Sequence, residues 1–375
     1  MIKRTIFDLI IKNQKPGFVN IIYGPRRVGK TVLLNQIKEF YNLEKSIFFN
    51  GDNDEATQAL SKNSEVKLTE LVKNYSLILI DEAQRIPNIG LSLKIIIDKF
   101  PDKKIFVTGS SSLDLAKGVQ ESLTGRNLTY RLFPFSLSER AGELEEYQID
   151  GLLDELLIFG SYPYLKELGE ATEKQTYLEK IIEDYLFKDV MFLERIDRPD
   201  IFKKLTILLA WQIGQQVSLS ELSKNLLIDV KTVSRYLALL EKSFVIFSVS
   251  SYSKNLRKEL AKSKKYYFYD LGIRNGLINQ FFPLSNRMDV GSLWENFIFV
   301  ERQKKNEYSG RFCEYFFWRN YQAAEVDLIE ADGFSLKAWE IKWGSKRYQT
   351  PKSFKEMYGM EAQLINRENY KKFII

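Results

Sequence analysis

The stretch Gly24-Pro25-Arg26-Arg27-Val28-Gly29-Lys30-Thr31 decides the fold of the N-terminal part of this chain. It satisfies the pattern G-x-x-x-x-G-K-[ST], whose glycines let the backbone wrap a phosphate at the N-terminus of a helix. Residues 18–23 before it are mostly apolar and predict a strand, and residues 32–38 after it predict a helix. This strand–loop–helix context predicts that the chain binds a nucleoside triphosphate.

The predicted nucleotide contacts comprise the whole loop, the residue after it and one serine farther along the chain. They are Gly24, Pro25, Arg26, Arg27, Val28, Gly29, Lys30, Thr31, Val32 and Ser110. We expect Lys30 to act catalytically by reaching the β- and γ-phosphates, and the Thr31 hydroxyl to bind Mg²⁺. Ser110 follows an apolar run, where its hydroxyl would sense the γ-phosphate, cap the next helix, or do both.

A pair of carboxylates follows a second apolar run. Asp81 and Glu82 come directly after residues 77–80, which are all Leu or Ile. Asp81 is predicted to hold the hydration shell of Mg²⁺, and Glu82 to orient and deprotonate the attacking water. The alternative, an acidic pair that only caps the next helix, is common for Asp-Glu alone and less so downstream of a phosphate loop.

Apolar runs alternate with helical patterns throughout the first third of the chain. Residues 46–49, 77–80, 104–108 and 128–132 read as strands. Strand–helix alternation predicts an α/β fold, with a parallel sheet covered on both faces by helices. Active residues are then expected at the carboxyl ends of the strands.

Composition excludes several classes of chemistry. The 375 residues include no histidine, which removes His-dependent nucleophiles, His general bases and His metal ligands. The single cysteine, Cys313, excludes an internal disulfide and a Cys-based zinc site. No apolar run approaches the ~20 residues of a membrane span, and the N-terminus is unlike a signal peptide. These features predict a cytoplasmic protein that does not enter a membrane.

Charge is distributed unevenly over the four segments that we expect to be domains. Residues 1–135, the predicted P-loop ATPase domain, carry +6, and residues 136–200, a helical lid or connector, carry −10. Residues 201–285 carry +8 and residues 286–375 carry +2. A basic module of this size is typical of contact with a phosphate backbone, although a solvated surface explains charge alone equally well.

Residues 201–285 predict a winged helix-turn-helix. Two short helical patterns meet at a turn, where Asp229 is a plausible N-cap for the second helix. Lys231, Thr232, Ser234 and Arg235 would project from that helix toward DNA. Basic residues between 254 and 265 would lie in the wing. The alternative is a winged helix that serves as a protein-interaction spacer.

Residues 286–375 contain a constellation of carboxylates and one lysine. Asp327 and Glu340 lie on two predicted strands, and two-residue periodicity puts Lys342 on the same face as Glu340. Glu295 would add a third carboxylate from the preceding helix. These carboxylates can hold Mg²⁺ or Mn²⁺, while Glu340 and Lys342 would take part in hydrolysis of a phosphodiester. Alternating charge along an exposed strand produces E-x-K often, so the triplet alone is weak.

The motifs in combination resemble a prokaryotic group of AAA+-type P-loop ATPases. The matching stretches are 24–31, 77–84, 106–112, 122–126, 132–136 and 160–163. Members of that group carry a C-terminal region of unknown function with a winged helix and a nuclease-like fold, and the series Asp327, Glu340, Lys342 resembles the PD-(D/E)xK core of restriction endonucleases. The resemblance implies ATP as the nucleotide and Arg126 as an arginine finger or sensor. From the sequence alone, Arg126 could equally form a surface salt bridge.

These observations predict an ATPase that uses Mg²⁺ and couples hydrolysis to DNA binding, with metal-dependent DNA cleavage in the C-terminal part. DNA would be bound through residues 201–285 and the C-terminal domain, and the chain could form an oligomer. One alternative is a nucleotide-dependent switch whose C-terminal domains dock DNA or protein without catalysis. Another is a protein-remodelling ATPase.

Overall fold

The computed structural model describes residues 2–62, 64–109, 123–142, 144–193, 196–253, 264–344 and 347–375. The chain forms two compact units. The first comprises residues 1–134 together with 242–244, and the second comprises residues 135–241 and 245–375. None of the helices within these described ranges has the length and apolar character needed to cross a bilayer.

The first unit is built on a five-stranded sheet in which every neighbouring pair is parallel. Its strands are β1 (Val19–Tyr23), β2 (Ser46–Asn50), β3 (Leu77–Asp81), β4 (Lys104–Gly109) and β5 (Asn127–Arg131), in the spatial order β2-β3-β4-β1-β5. Strand β3 is buried along its whole length, as its continuous apolar sequence requires in a sheet covered on both faces. The predicted parallel sheet is confirmed.

In the described part of the first unit, five helices lie between these strands or before them. They are α1 (Ile6–Asn13), α2 (Lys30–Phe40), α3 (Asp54–Ser61), α4 (Glu65–Val72) and α5 (Ile89–Lys99). Helix α5 places Leu93, Ile96 and Ile97 in the core cluster that contains Ile80 and Val107 of the sheet. This packing holds the carboxyl ends of β1, β3 and β4 side by side, because the three strands run parallel.

The second unit begins with helices. These are α6 (Leu137–Ala141), α7 (Glu146–Phe159), the 3₁₀ turn Pro163–Glu167, α8 (Ala171–Ile181), the π-helical segment Ile182–Asp189, and α9 (Val190–Leu193). Helix α6 opens with a capping box in which Ser136 and Glu139 satisfy each other's backbone N–H groups. The acidic segment is therefore helical, as its sequence pattern predicts.

A helix–strand–helix–helix–strand–strand series follows. It comprises α10 (Pro199–Trp211), β6 (Gln216–Val217), α11 (Leu219–Leu226), α12 (Val230–Lys242), β7 (Ile246–Ser251) and β8 (Lys264–Phe268). Leu227 takes a left-handed conformation that ends α11. The Asp229 carboxylate accepts a hydrogen bond of 2.9 Å from the Thr232 N–H, so the predicted N-cap is confirmed.

The C-terminal elements complete a seven-stranded mixed sheet. They are α13 (Leu271–Leu277), the 3₁₀ turn Leu284–Asn286, α14 (Val290–Tyr308), β9 (Glu314–Arg319), β10 (Glu325–Ala331), β11 (Leu336–Ile341), α15 (Lys352–Tyr358), β12 (Gln363–Ile365) and α16 (Tyr370–Ile374). The spatial order is β12-β11-β10-β9-β7-β8-β6, and β7 pairs in parallel with β9. One sheet therefore continues across residue 285, where the sequence suggests a domain boundary.

Candidate functional site

The phosphate loop joins the carboxyl end of β1 to helix α2, and two glycines shape it. A Cβ atom on Gly24 would lie 2.1 Å from the Leu132 carbonyl oxygen, so no other residue fits there without moving the backbone. Gly29 has a φ of 93°, in the left-handed region that favours glycine, and directly precedes the first helical residue, Lys30. The loop therefore ends with a helix N-terminus pointing into it, which is the arrangement that binds anions.

Lys30 is buried beneath the loop. Its ammonium donates hydrogen bonds to the carbonyl oxygens of Gly24 and Pro25, at 3.0 and 2.8 Å. Burial lowers the pKa of Lys30 to about 8, and the nearby charges of Glu82 and Asp81 only partly offset this. A buried ammonium that contacts only carbonyl dipoles is poorly compensated, and a phosphate would supply the missing negative charge.

Thr31 and Asp81 meet at the carboxyl ends of the strands. The Thr31 hydroxyl donates a hydrogen bond of 2.6 Å to Asp81 Oδ2. The other oxygen, Asp81 Oδ1, accepts from the Thr108 hydroxyl at the end of β4 and, at 3.1 Å, from the Glu82 N–H. The hydroxyl and carboxylate predicted to surround Mg²⁺ are thus in contact, and this donor set fits that ion.

Glu82 follows Asp81 in a left-handed conformation, with a φ of 48°. This conformation is uncommon for a residue other than glycine and is typical of positions held by their surroundings. The Glu82 backbone is crowded, since a Cβ atom on Gly51 would lie 2.3 Å from its carbonyl oxygen. The Glu82 carboxylate accepts a hydrogen bond of 2.5 Å from the Gln84 amide, which restricts its orientation.

Arg4 supports the loop from below and was missed by the sequence analysis. Its buried guanidinium donates to the Val28 carbonyl at 2.7 Å and to the Phe133 carbonyl at 2.6 Å. It therefore ties the apex of the phosphate loop to the segment that follows β5. Arg4 lies outside every motif of the sequence analysis, and Thr108 lies in the stretch 106–112 without a predicted role, so only the folded chain brings them to the site.

The remaining loop residues differ in exposure. Pro25 and Val28 are buried, Arg26 is half-buried, and Arg27 and Val32 are exposed beside the loop. Ser110 lies outside the described residues.

The structure does not bring Arg126 to this cluster. Its carbonyl accepts from the N–H of Val19, at the amino end of β1, whereas the phosphate loop follows the carboxyl end of that strand. Five residues of β1 separate the two edges, which corresponds to ~16 Å. The Arg126 guanidinium forms an ion pair of 2.6 Å with Asp98.

Helix α12 exposes part of its predicted reading face. Lys231, Ser234 and Arg235 are exposed, while the intervening Val233 is buried. The Thr232 hydroxyl is engaged in the cap, donating to Asp229 at 2.6 Å, and Arg235 forms an exposed ion pair with Asp197 at 3.2 Å. Residues 254–263, which hold most of the predicted basic wing, lie outside the described residues.

Asp327 on β10, Glu340 on β11 and Lys342 directly after β11 form a compact group. Leu328 pairs with Trp339, so Asp327 and Glu340 lie opposite each other on adjacent antiparallel strands. The Lys342 ammonium lies 2.6 Å from Glu340 and 3.6 Å from Asp327. Burial and repulsion from Glu295 and Glu340 raise the pKa of Asp327 to about 8. Asp327 and Glu340 share the single ammonium of Lys342, and two oxygen ligands on adjacent strands fit a divalent cation whose remaining ligands are water.

Glu295, the third predicted ligand, is engaged by neighbouring side chains. One of its oxygens, Oε1, accepts from the Tyr267 hydroxyl at 2.5 Å and lies 2.9 Å from the Lys265 ammonium. Lys265 belongs to the basic stretch predicted to form the wing, but the structure buries it. Nowhere in the described ranges do three carboxylate or cysteine side chains converge as a metal cage requires.

Three protein families match successive parts of the chain. Residues 17–141 match the AAA domain, residues 150–283 match a domain of unknown function (DUF8612), and residues 290–374 match another (DUF4143). The first match covers the sheet and the phosphate loop, so the first unit is similar to AAA domains.

The curated relatives carry no assigned function. An uncharacterized protein of Methanocaldococcus jannaschii is 26% identical over 333 residues, which cover 84% of this chain and 72% of the relative. An uncharacterized protein of Haemophilus influenzae is 24% identical over 391 residues, covering 100% of this chain and 92% of the relative.

Two solved structures match parts of the chain at low similarity. AMPPCP-bound DnaA from Aquifex aeolicus is 16% identical, with 63% of this chain and 86% of that chain covered and a TM-score of 0.28. A RuvB variant from Thermotoga maritima is 14% identical, with 69% and 91% covered and a TM-score of 0.31.

Proposed function

We propose that the chain binds ATP with Mg²⁺ at the phosphate loop and hydrolyses the γ-phosphate. The observation that carries this proposal is the direct contact of Thr31 with Asp81, 2.6 Å apart, next to the buried ammonium of Lys30. Thr31 and, through water, Asp81 would hold Mg²⁺, which would supply positive charge beside the β- and γ-phosphates. The proximity of these three side chains at one end of the sheet supports the proposal.

The residues of the site have distinct parts in hydrolysis. Lys30 exchanges its hydrogen bonds to the loop carbonyls for phosphate oxygens and stabilises the charge that leaves with ADP. Glu82 orients a water molecule for in-line attack and accepts its proton, while Gln84 limits the orientation of the carboxylate. Thr108 holds Asp81 in place. This division of labour separates binding, which depends on Lys30, from turnover, which depends on Glu82.

Steady-state ATP hydrolysis and nucleotide binding test the proposal. We expect Lys30→Ala to lose at least ~100-fold in turnover, as the removal of a single stabilising donor does elsewhere, and also to bind ATP weakly. Glu82→Gln should still bind ATP but lose turnover. Lys38→Ala, an exposed position on the same helix, is the matched control and should behave as wild type. Undiminished turnover in Lys30→Ala would reject the site.

We also propose that Arg126 acts on a nucleotide bound by a neighbouring copy of the chain. In its own subunit it lies at the opposite edge of the sheet from the phosphate loop, so an arginine-finger role requires a second copy. Arg126→Ala has an intact loop, and Lys30→Ala has an intact arginine. Mixing these two variants should restore part of the ATPase activity, whereas no restoration at any ratio would contradict action in trans.

A second proposed activity is duplex DNA binding through helix α12. The exposed Lys231 and Arg235, and the charge of +8 on residues 201–285, support it. Each phosphate contact that is lost should reduce the slope of log affinity against log salt by ~1. The double variant Lys231→Ala/Arg235→Ala should therefore reduce that slope by ~2, and Lys337→Ala, an exposed lysine of β11, should not. An equal change of slope per lost charge in both variants would show that DNA binding depends on the overall positive charge and not on helix α12.

The third proposed activity is metal-dependent DNA cleavage by the group Asp327, Glu340 and Lys342. Asp327 and Glu340 would hold the cation, which activates water, and Lys342 would stabilise charge on the phosphodiester. Nicking of supercoiled plasmid with Mg²⁺ or Mn²⁺, with and without ATP, tests it. Nicking that is lost in Asp327→Ala would support a nuclease, and dependence on Lys30 would show coupling to ATP. An absence of nicking would favour the alternative, a nucleotide-dependent switch that docks DNA.

A further inference from the structure

Lys265 carries a positive charge into the interior of the second unit, where two carboxylates meet it. Its side chain is only 4% exposed, and its ammonium lies 2.9 Å from Glu295 Oε1 and 2.5 Å from Glu325 Oε1. These residues come from three elements, β8, α14 and β10, so one ammonium bridges three parts of the fold. The Tyr267 hydroxyl, also from β8, donates to the same Glu295 oxygen.

The surroundings of Lys265 are negative overall. Glu295 and Glu325 contact Lys265, and Asp327 and Glu340 interact electrostatically with this pair from farther away. The cations that face them are Lys265, the half-exposed Lys342 and Arg319, which lies 3.6 Å from Glu325 at the rim. Burial alone would lower the pKa of Lys265, but Glu295, Glu325 and Asp327 raise it well above its ordinary value. Lys265 therefore stays charged.

We propose that the Lys265 ammonium is the resident cation of this acidic cluster and occupies the place where a divalent cation would otherwise bridge Glu295 and Glu325. An ammonium between two carboxylate oxygens satisfies both with a single charge and three N–H donors. A divalent cation at the same point would need those two oxygens and the space that the ammonium fills. Glu295 is therefore a partner of Lys265 in this chain, while any cation at Asp327 and Glu340 is held without it.

Removal of the ammonium leaves two half-buried carboxylates without their shared cation, which destabilises the fold and creates affinity for a divalent cation. Lys265→Met should therefore bind one more Mn²⁺ per chain than wild type. At Glu295 and Glu325, its Mn²⁺ affinity should exceed that of wild type by about tenfold or more. The proposal does not depend on DNA cleavage, since Mn²⁺ binding and thermal unfolding are measured without nucleic acid.

The experiment measures free Mn²⁺ by electron paramagnetic resonance, and the unfolding midpoint with and without Mn²⁺, on the full chain. Lys265→Met should unfold at a lower temperature than wild type and regain much of the difference when Mn²⁺ is added. Lys304→Met is the matched control, because Lys304 is also buried and pairs with Glu301 at 2.7 Å. It should be destabilised as well, but Mn²⁺ should not restore it.

Equal restoration of both variants, or none in Lys265→Met, would overturn the proposal. If Lys265→Met does not fold, two variants that retain Lys265 decide the question instead. Glu295→Gln should leave the Mn²⁺ affinity of the chain unchanged, and Asp327→Asn should lower it if the proposed cation site on β10 and β11 exists. A loss of Mn²⁺ binding in Glu295→Gln would show that Glu295 is a metal ligand and that Lys265 does not take the place of the cation.

Discussion

Lys30 in the first unit and Lys265 in the second are both buried, yet their surroundings differ in kind. Lys30 contacts two backbone carbonyl oxygens, and burial lowers its pKa to about 8. Lys265 contacts two carboxylates, which raise its pKa in spite of burial. A lysine that contacts only carbonyl oxygens can still bind an external anion, whereas the charge of a lysine between two carboxylates is already neutralised within the chain. Buried charge alone therefore does not mark a binding site; the nature of its partners does.

The largest expected difference between the two lysines concerns stability without ligand. Lys265→Met removes one partner of a buried ion pair and should lower the free energy of unfolding by about 3–5 kcal/mol. Lys30→Met removes a poorly compensated buried charge, so the free energy of unfolding should stay the same or rise. Urea unfolding followed by Trp fluorescence reports the second unit, since all five Trp residues lie there, and circular dichroism reports both units. An equal loss of unfolding free energy in Lys265→Met and Lys30→Met would show that the two buried lysines do not differ in how well their charge is compensated.

The pH dependence of stability should differ in sign between the two regions. The pKa of Lys30 is lower in the folded state than in the unfolded state, so the folded chain binds fewer protons between about pH 8 and 10.5. Lys30 therefore lowers the free energy of unfolding by its full amount below pH 8. As the pH rises to about 10.5, the free energy of unfolding recovers by about 3 kcal/mol. The pKa of Asp327 is raised to about 8, so its contribution is favourable in acid and is lost as the pH rises toward 8.

Differences between wild type and variants isolate these two groups from all the others that titrate. The free energy of unfolding of wild type minus that of Lys30→Met should increase from pH 8 to pH 10. The corresponding difference with Asp327→Asn should decrease from pH 4 to pH 8. A flat difference in either series would show that the group has an ordinary pKa in the folded chain.

The sequence predicts the first unit better than the second for a physical reason. The apolar runs around 77–80 and 104–108 are long enough to be buried in a parallel sheet, and the loop at 24–31 fixes where that sheet opens. In the second unit, β7 pairs with β9, which begins more than sixty residues later. No local pattern reveals such a pairing, and the shared sheet is what brings Lys265 to Glu295 and Glu325.

Individual site residues show the same limit. Asp81 and Glu82 follow a strand directly, so their position at its carboxyl end follows from the sequence. Thr108 ends a different strand, and Arg4 lies before the first helix. Their contacts to Asp81 and to the loop depend on the order of the strands and on the path of the N-terminal segment. The basic stretch predicts that Lys265 lies in an exposed wing. The structure buries it, because the charge of a residue does not by itself reveal whether the side chain is buried.

The smallest expected effect is proton uptake when ATP binds. With a pKa of about 8, half of the Lys30 side chains are neutral at pH 8, and contact with phosphate should restore the ordinary preference for the charged form. ATP binding at pH 8 should then take up about half a proton per site, because each neutral Lys30 is protonated on binding. Calorimetric titrations in buffers of different ionisation enthalpy measure this number directly. Lys30→Met should take up no proton on binding ATP. Lys265→Met should take up the same half proton as wild type, because Lys265 does not contact the nucleotide. Equal uptake in wild type and in Lys30→Met would mean that another group takes up the proton, and that the lowered pKa of Lys30 has no part in nucleotide binding.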